Sequence, residues 1–302
     1  MSATIRALLH AAAERLLAVH AASDLDEARL QTDLLYGEAA GLERPAVIAA
    51  GPDEPPEQAR AAFEALLARR LDHEPFAYIL GRREFYGLTF EVGPGVLIPR
   101  PETETLVEAG LAAIREHPRA RRLVRVADIG TGSGAVALSV ARHVPNATFF
   151  AVDASTEALA WAGRNRKRLG PVDRVVLLAG DLLEPLGEPL DVVLANLPYV
   201  PTEEFETLPP EIRASEPRIA VDAGESGLAL FERFAAQLPE HLAEDAFAVL
   251  LEVGAGQAGH VETIMRGALE RYTDLEVRFH RDLRDTRRVV ELRAGYPPRD
   301  GD

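Results

Sequence analysis

A chain of 302 residues with 47% hydrophobic and 27% charged side chains has the length and balance of a globular protein with one large domain and one small one. Its formal net charge of −15 makes it a poor polyelectrolyte match for long duplex or ribosomal RNA, where neutralised phosphates supply much of the affinity, although a local basic face can sit inside an acidic total. The lack of cysteine removes disulfides, thiol nucleophiles and cysteine-ligated zinc, and no metal site is expected.

Met1 leads into Ser-Ala-Thr and an amphipathic stretch, with no cationic segment ahead of a continuous apolar core of signal-peptide type. No window approaches the ~18 apolar residues of a membrane span, so a soluble cytoplasmic protein is expected. Residues 1–85 read as a small helical domain. Ile5, Leu8, Leu9, Ala12, Leu16 and Leu17 repeat with the i, i+3, i+4, i+7 spacing of one buried helical face. Asp24 is positioned to cap the next helix, which carries Leu34 and Leu35 and stops near Gly41. After a loop rich in proline and acid at 51–56, a third helix carries Phe63, Leu66 and Leu67 on one side.

From Glu84 the texture becomes β-like. Runs at 84–92 and 96–99 flank Gly93-Pro94-Gly95, which predicts a hairpin about that turn and a linker over 86–100. A second domain over 101–302 follows. Strands are expected at 123–128, 148–153, 174–179, 190–195 and 246–252, and helices at 102–116, 134–143, 155–169 and 226–243. This alternation specifies an α/β fold, a Rossmann-like, mainly parallel open sheet with helices on both faces. The runs 275–279 and 288–292 read as a closing antiparallel pair, and the tail from Tyr296 to Asp302 as frayed.

Two segments carry the chemistry. Strand 124–128 runs into Asp128-Ile129-Gly130-Thr131-Gly132-Ser133-Gly134 and then directly into a helix. Glycines there let the backbone turn tightly and let a ligand approach where a Cβ would stand. The spacing departs from the dinucleotide G-x-G-x-x-G, and no Gly-Lys-Ser/Thr follows, so a triphosphate loop is disfavoured. Asp153 ends the next strand, 23 residues beyond Gly130, where a carboxylate can accept from both ribose hydroxyls. Asp181 ends the third strand, and with Leu182 it can face an adenine. The alternative makes both acids simple helix caps or solvated loop residues, and the cofactor reading is favoured over it for Asp153 more than for Asp181.

Asn196-Leu197-Pro198-Tyr199 closes the apolar run 192–194, at the carboxyl edge where open α/β sheets place ligands. Asn196 offers an acceptor oxygen and a donor NH2, Pro198 stiffens the turn, and Tyr199 adds a flat face with a polar tip. An amide nitrogen is a poor nucleophile because its lone pair is delocalised. The Asn196 side-chain oxygen and the Leu197 carbonyl can hold both amide hydrogens and aim that lone pair at an electrophile, so catalysis would be mainly positioning and electrostatics. Behind a nucleoside-binding loop, this turn predicts methyl transfer from S-adenosylmethionine to a planar nitrogen.

Several stretches of the chain also resemble one family. They are Glu74-Pro75-Phe76-Ala77-Tyr78-Ile79-Leu80-Gly81, Glu84-Phe85-Tyr86-Gly87-Leu88, Leu97-Ile98-Pro99-Arg100-Pro101-Glu102-Thr103-Glu104, the loop 128–134, the Asn-x-Pro-Tyr turn, Glu216-Pro217-Arg218 and Leu251-Glu252-Val253-Gly254. Together they resemble the release-factor glutamine methyltransferases (the HemK family) over nearly the whole chain. The resemblance implies a class I S-adenosylmethionine methyltransferase whose substrate is the glutamine in the Gly-Gly-Gln loop of peptide chain release factors, docked with help from the helical domain. It also implies no direct nucleic-acid partner. The cofactor would sit on Gly130 to Gly134, Asp153, Asp181, Leu182 and Asn196, the substrate on Asn196, Leu197, Pro198, Tyr199 and Arg100, and Arg100 to Thr103 would close over the site. The family's usual turn is Asn-Pro-Pro-Tyr, and here Leu197 replaces the first proline. Asn-Leu-Pro-Tyr occurs in the ribosomal-RNA adenine dimethyltransferases, which leaves N6-adenine methylation of ribosomal RNA or DNA as the alternative, with a non-catalytic cofactor-binding protein as a third reading.

Overall fold

The computed structural model describes residues 4–170 and 173–297, which divide into two compact units. The smaller unit runs to Arg82 and takes in Pro209–Ser215, and the larger holds 83–208 and the chain from Glu216. The segment 86–100 therefore counts with the larger unit.

The smaller unit is helical: α1 (Ile5–Ala18), α2 (Leu25–Ala40), α3 (Arg44–Ala49), α4 (Glu57–Leu71) and α5 (Phe76–Leu80). Asp24 caps α2 as expected, accepting from the Glu27 N–H at 2.8 Å, and Gly41 ends it in the left-handed region. Ile5, Leu9, Leu16, Leu35, Phe63 and Leu67 form the core of the unit. Its least expected member is Arg70, only 3% exposed. Its Nε donates to Gln31 Oε1 at 2.9 Å, and its Nη1 to the Glu74 carbonyl at 3.0 Å and to Glu211 Oε2 at 2.7 Å. Nη2 reaches the Ala21 carbonyl. Arg70→Ala would leave the buried acceptors on Gln31 and Ala21, and the half-buried ones on Glu74 and Glu211, without their donor, and the expected loss is about 3 kcal/mol of unfolding free energy. Denaturant titration followed by helical circular dichroism measures it, and a loss below about 1 kcal/mol would contradict the role.

The larger unit opens with a hairpin, but not the one expected. Strands β1 (Arg82–Phe85) and β2 (Leu88–Glu91) pair about Tyr86-Gly87, both of positive φ at 49° and 68°, the signature of a two-residue turn. The segment 96–99 forms no strand. Its Ile98 N–H donates to Glu216 Oε2 at 3.1 Å, and the Pro94 carbonyl accepts from Trp161 Nε1 at 3.1 Å. Side chains from distant parts of the chain take the backbone bonds that a partner strand would have used.

Beyond it run a 3₁₀ turn at Pro101–Thr103, α6 (Glu104–Glu116), β3 (Val124–Ile129), α7 (Ala135–His143), β4 (Ala147–Asp153), α8 (Thr156–Arg168), β5 (Val175–Ala179) and β6 (Val192–Ala195). Two short helices follow, α9 (Thr202–Phe205) and α10 (Pro210–Ser215), the latter part of the smaller unit. Then come α11 (Ala229–Gln237), β7 (Phe247–Glu252), α12 (Ala258–Ala268), β8 (Glu276–Arg281) and β9 (Arg287–Ala294). The helix expected over 226–243 is shorter than predicted and passes into a 3₁₀ turn at Leu238–Glu240, because Pro239 can give no backbone N–H.

The sheet has seven strands in the order β5-β4-β3-β6-β7-β9-β8. The first five are parallel; β9 runs antiparallel to β7, and β8 to β9. Strands β4 and β5 lie on one side of β3, and β6 and β7 on the other, so strand order reverses at the β3–β6 boundary. Open α/β sheets bind ligands at such a crevice. Strands β6 and β7 are buried along their whole length, as parallel strands covered on both faces must be. Tyr296 is not frayed: its hydroxyl donates to the Ala113 carbonyl at 3.1 Å and its ring meets His117 edge-on. The rest of the expected frayed tail, 298–302, lies outside the described residues. Among the described residues no helix is long and apolar enough to cross a membrane.

Candidate active site

One cavity opens at the carboxyl ends of β3, β4, β5 and β6. Gly130 to Ser133, Asp153, Asp181, Leu182, Asn196, Leu197, Pro198, Arg100 and Thr103 all line it.

The glycine loop is shaped by its own backbone. Gly130, Gly132 and Gly134 adopt φ of 73°, 56° and 80°, a region that costs side chains other than glycine's. A Cβ on Gly130 would stand 3.3 Å from the Asn196 carbonyl oxygen, so that glycine lets the loop and the acceptor turn approach. A Cβ on Gly134 would press Leu138 Cδ1 at 2.9 Å. Behind the loop, buried Asp128 ties it to the following helix, its Oδ2 accepting from Thr131 Oγ1 at 2.6 Å and from the Ala137 N–H at 3.0 Å. Burial pushes the Asp128 carboxyl up to about 6, against these two bonds.

Asp153 ends β4 at the cavity wall and serves its own loop. Its Oδ2 accepts from the Gly132 N–H and its Oδ1 from the Ser155 N–H, each at 2.8 Å. Burial raises its pKa while those two bonds lower it. The capping alternative belongs to its neighbour, since Ser155 caps α8 by accepting from the Ala158 N–H at 3.2 Å. Asp181 is ion-paired with Arg233, which shares the cavity wall. Leu182 is buried and holds a φ of 53°, an uncommon conformation for a branched side chain, and it forms an apolar wall.

In the acceptor turn, Asn196 lines the cavity and its Nδ2 donates to Thr103 Oγ1 at 3.2 Å. That bond fixes the amide's direction, leaving Oδ1 as the atom available to accept. Leu197 and Pro198 also line the cavity, and the Leu197 side chain is buried against the central core. Tyr199 is placed differently: it borders a neighbouring cavity with Glu204, Gln257, His260 and Arg288. Its hydroxyl donates to Glu252 Oε1 at 3.4 Å, and burial drives its pKa upward. Gln257 pins the turn from below, with Nε2 donating to the Tyr199 carbonyl at 2.8 Å and Oε1 accepting from the Gly254 N–H at 2.9 Å. Arg100 reaches the cavity wall while paired with buried Glu216, the same carboxylate that accepts from Ile98.

Sequence reasoning missed the roles of Glu216, Glu252, Gln257 and Asp128. Glu216 and Glu252 belong to segments that carried the family resemblance, but their partners are 116 and 53 residues away, at Arg100 and Tyr199. No local spacing reports such contacts.

Comparison with known proteins gives the same picture. Residues 7–81 match the family model described as the PrmC N-terminal domain, and residues 126–215 match one described as a methyltransferase domain. The release factor glutamine methyltransferase of Geobacter sulfurreducens is 42% identical over 80% of this chain and 81% of its own length. That of Bradyrhizobium diazoefficiens is 38% identical over 85% of this chain and 86% of its own. The chain belongs to the release factor glutamine methyltransferases. Among solved structures, the release-factor-specific protein-(glutamine-N5) methyltransferase from Alicyclobacillus acidocaldarius is 33% identical, covering 69% of this chain and all of that one, with a TM-score of 0.42. As a release factor glutamine methyltransferase, this chain places its glycine loop and its Asn-x-Pro-Tyr turn on one cavity at the sheet's switch point.

Proposed function

We propose that the protein methylates the N5 side-chain nitrogen of the glutamine in the Gly-Gly-Gln loop of peptide chain release factors, using S-adenosylmethionine, in the cytoplasm and in the service of translation termination. The observation that carries this reading is Asn196: it lines the cavity that the glycine loop walls, and its NH2 is committed to Thr103, which leaves Oδ1 as the end that can accept. An acceptor so oriented selects a ligand that brings N–H, as a primary amide does.

The residues fit the cofactor. Glycines of positive φ admit a ligand against bare backbone, the Asp153 carboxylate stands at the end of the second strand, and Leu182, Ile129 and Val152 provide apolar wall. Asp153 would hold the ribose hydroxyls, with Asp181 and Leu182 beside the base. Bound there, S-adenosylmethionine would supply an electrophilic methyl to the amide nitrogen, its sulfonium S–CH3 bond breaking as the N–CH3 bond forms, with S-adenosylhomocysteine leaving and one N–H proton passing to water. The chain's own work is orientation. Asn196 Oδ1 and the Leu197 carbonyl accept the two amide hydrogens, Pro198 holds the turn, and Tyr199 is anchored behind it by Glu252 and Gln257. Arg100, held by Glu216, closes one wall. The helical unit would dock the release factor. Relatives named for glutamine methylation match along most of their length, which favours this substrate over adenine in ribosomal RNA or DNA.

The test is intact mass. Incubated with S-adenosylmethionine, a release factor should gain one methyl on that glutamine, while small-subunit ribosomal RNA should gain none. Adenine methylation beside an unmodified release factor would reverse the assignment. Leu197→Pro sharpens it. Among the described residues the Leu197 N–H has no hydrogen-bond partner, so proline there forfeits no bond and keeps the carbonyl. Glutamine methylation within about threefold of wild type is expected from that variant, with no new activity on RNA.

A further inference from the structure

Asn165 on α8 is fully buried and lines neither of the two cavities described above. Its amide makes three bonds to backbone. Oδ1 accepts from the Glu91 N–H at 2.7 Å, and Nδ2 donates to the Glu91 carbonyl at 2.9 Å and to the Ser133 carbonyl at 3.0 Å. Towards Glu91, the last residue of β2, the side chain acts as a strand neighbour would, taking both backbone groups of one residue. Towards Ser133 it holds the glycine loop.

The same face of α8 continues the pattern. Trp161, Asn165 and Arg168 follow i, i+4, i+7 spacing, and each donates to a carbonyl of the chain that leaves the hairpin: Trp161 Nε1 to Pro94 at 3.1 Å, Asn165 to Glu91, and Arg168 to Thr89. A Cβ on Gly93 would stand 2.6 Å from Trp161 Cζ2, so this backbone lies directly against the indole. Just beyond the fastened stretch, Gly95, Leu97, Pro99 and Arg100 line the cofactor cavity, as Ser133 does.

We infer that Asn165, with Trp161 as a second hold, is a positioning residue of the cofactor site: it ties the segment 91–100 to the glycine loop 130–134, so two walls of one cavity are set relative to each other. This deepens the methyl-transfer reading and rests on it only for the identity of the cofactor.

The argument is one of hydrogen-bond inventory. A primary amide has two donor hydrogens and an acceptor oxygen, and here both hydrogens and the oxygen are committed to backbone. The segment 92–99 forms no strand, so side-chain bonds stand in for the ladder that would otherwise fix it. Alanine at 165 would leave one N–H and two carbonyls without these partners. With the walls free to move apart, only a fraction of molecules would hold the cavity in its binding form, and apparent affinity falls by that fraction.

Three variants test this: Asn165→Ala, Trp161→Phe, which keeps a ring but not the bond to Pro94, and Met265→Ala, a buried core change on α12 that destabilises without touching either set of bonds. In the unliganded protein, amide hydrogen exchange in Asn165→Ala should quicken about tenfold or more over both 91–98 and 130–134, and by less over β6 and β7. Trp161→Phe should quicken 92–98 alone. By calorimetry, S-adenosylhomocysteine should bind about tenfold or more weakly to Asn165→Ala and about threefold more weakly to Trp161→Phe, with Met265→Ala within twofold of wild type. Exchange in Asn165→Ala that quickens over only one of the two segments, or affinity lowered no more than in Met265→Ala, overturns the inference. So does unchanged exchange over 92–98 in Trp161→Phe, a milder variant that decides the matter even if Asn165→Ala does not fold. Wild-type protein that binds no S-adenosylhomocysteine overturns the cofactor reading instead, and exchange in the unliganded protein still decides the positioning role.

Discussion

Asn196→Ala is expected to lower methyl transfer to a release factor by about two to three orders of magnitude in kcat, the cost typical of removing one aligned group from a preorganised site. Among the described residues the side chain's one hydrogen bond is to Thr103, so alanine removes a single 3.2 Å bond at a cavity wall. The fold should survive, with the melting temperature within a few degrees of wild type, about the shift expected from one modest hydrogen bond. The loss arises because the amide nitrogen must be held with its lone pair aimed at the methyl donor. In the proposed geometry only the Leu197 carbonyl would then remain to hold it. Single-turnover measurement by intact mass reads the chemical step directly. Turnover within about threefold of wild type would show that the substrate amide is held elsewhere.

Asp153→Ala is expected to weaken S-adenosylmethionine binding by about one to two decades, from the loss of charge-assisted hydrogen bonds worth roughly 1.5–3 kcal/mol. Two effects add. The carboxylate would lose its contact with the ribose hydroxyls, and the glycine loop would lose the 2.8 Å bond from Gly132 to Asp153 Oδ2. Asp153→Asn separates them. Its one side-chain oxygen can still accept from Gly132, but it cannot serve every donor that the carboxylate does. The asparagine variant should therefore bind with intermediate affinity and keep the wild-type melting temperature. Calorimetry that finds the alanine variant's affinity unchanged would remove Asp153 from the cofactor site.

The elements and the two working segments were legible because their signals are local. Helical spacing marked the core of the first unit. Alternating apolar runs marked the five parallel strands to within about two residues, the usual uncertainty of element ends. Glycine spacing after β3 and the Asn-Leu-Pro-Tyr turn after β6 marked two segments that line one cavity, since glycine, proline and asparagine act through their own backbone or their nearest neighbours.

What the sequence could not determine by itself was every feature whose partner lies far along the chain. A hairpin about Gly93-Pro94-Gly95 was the natural local reading, yet Tyr86 and Gly87 make the turn and Glu216 takes the Ile98 N–H instead. Asn196 was visible as an acceptor, but its direction depends on Thr103, 93 residues away. Tyr199 was expected as a face of the substrate site, but the bond of its hydroxyl to Glu252, 53 residues away, had no local signal. Arg70 reads as a surface residue of a helix until Gln31, Ala21 and Glu211 close around it. A buried donor or acceptor must find its complement wherever folding brings one, and that pairing is a property of three-dimensional proximity, which no local period or spacing encodes.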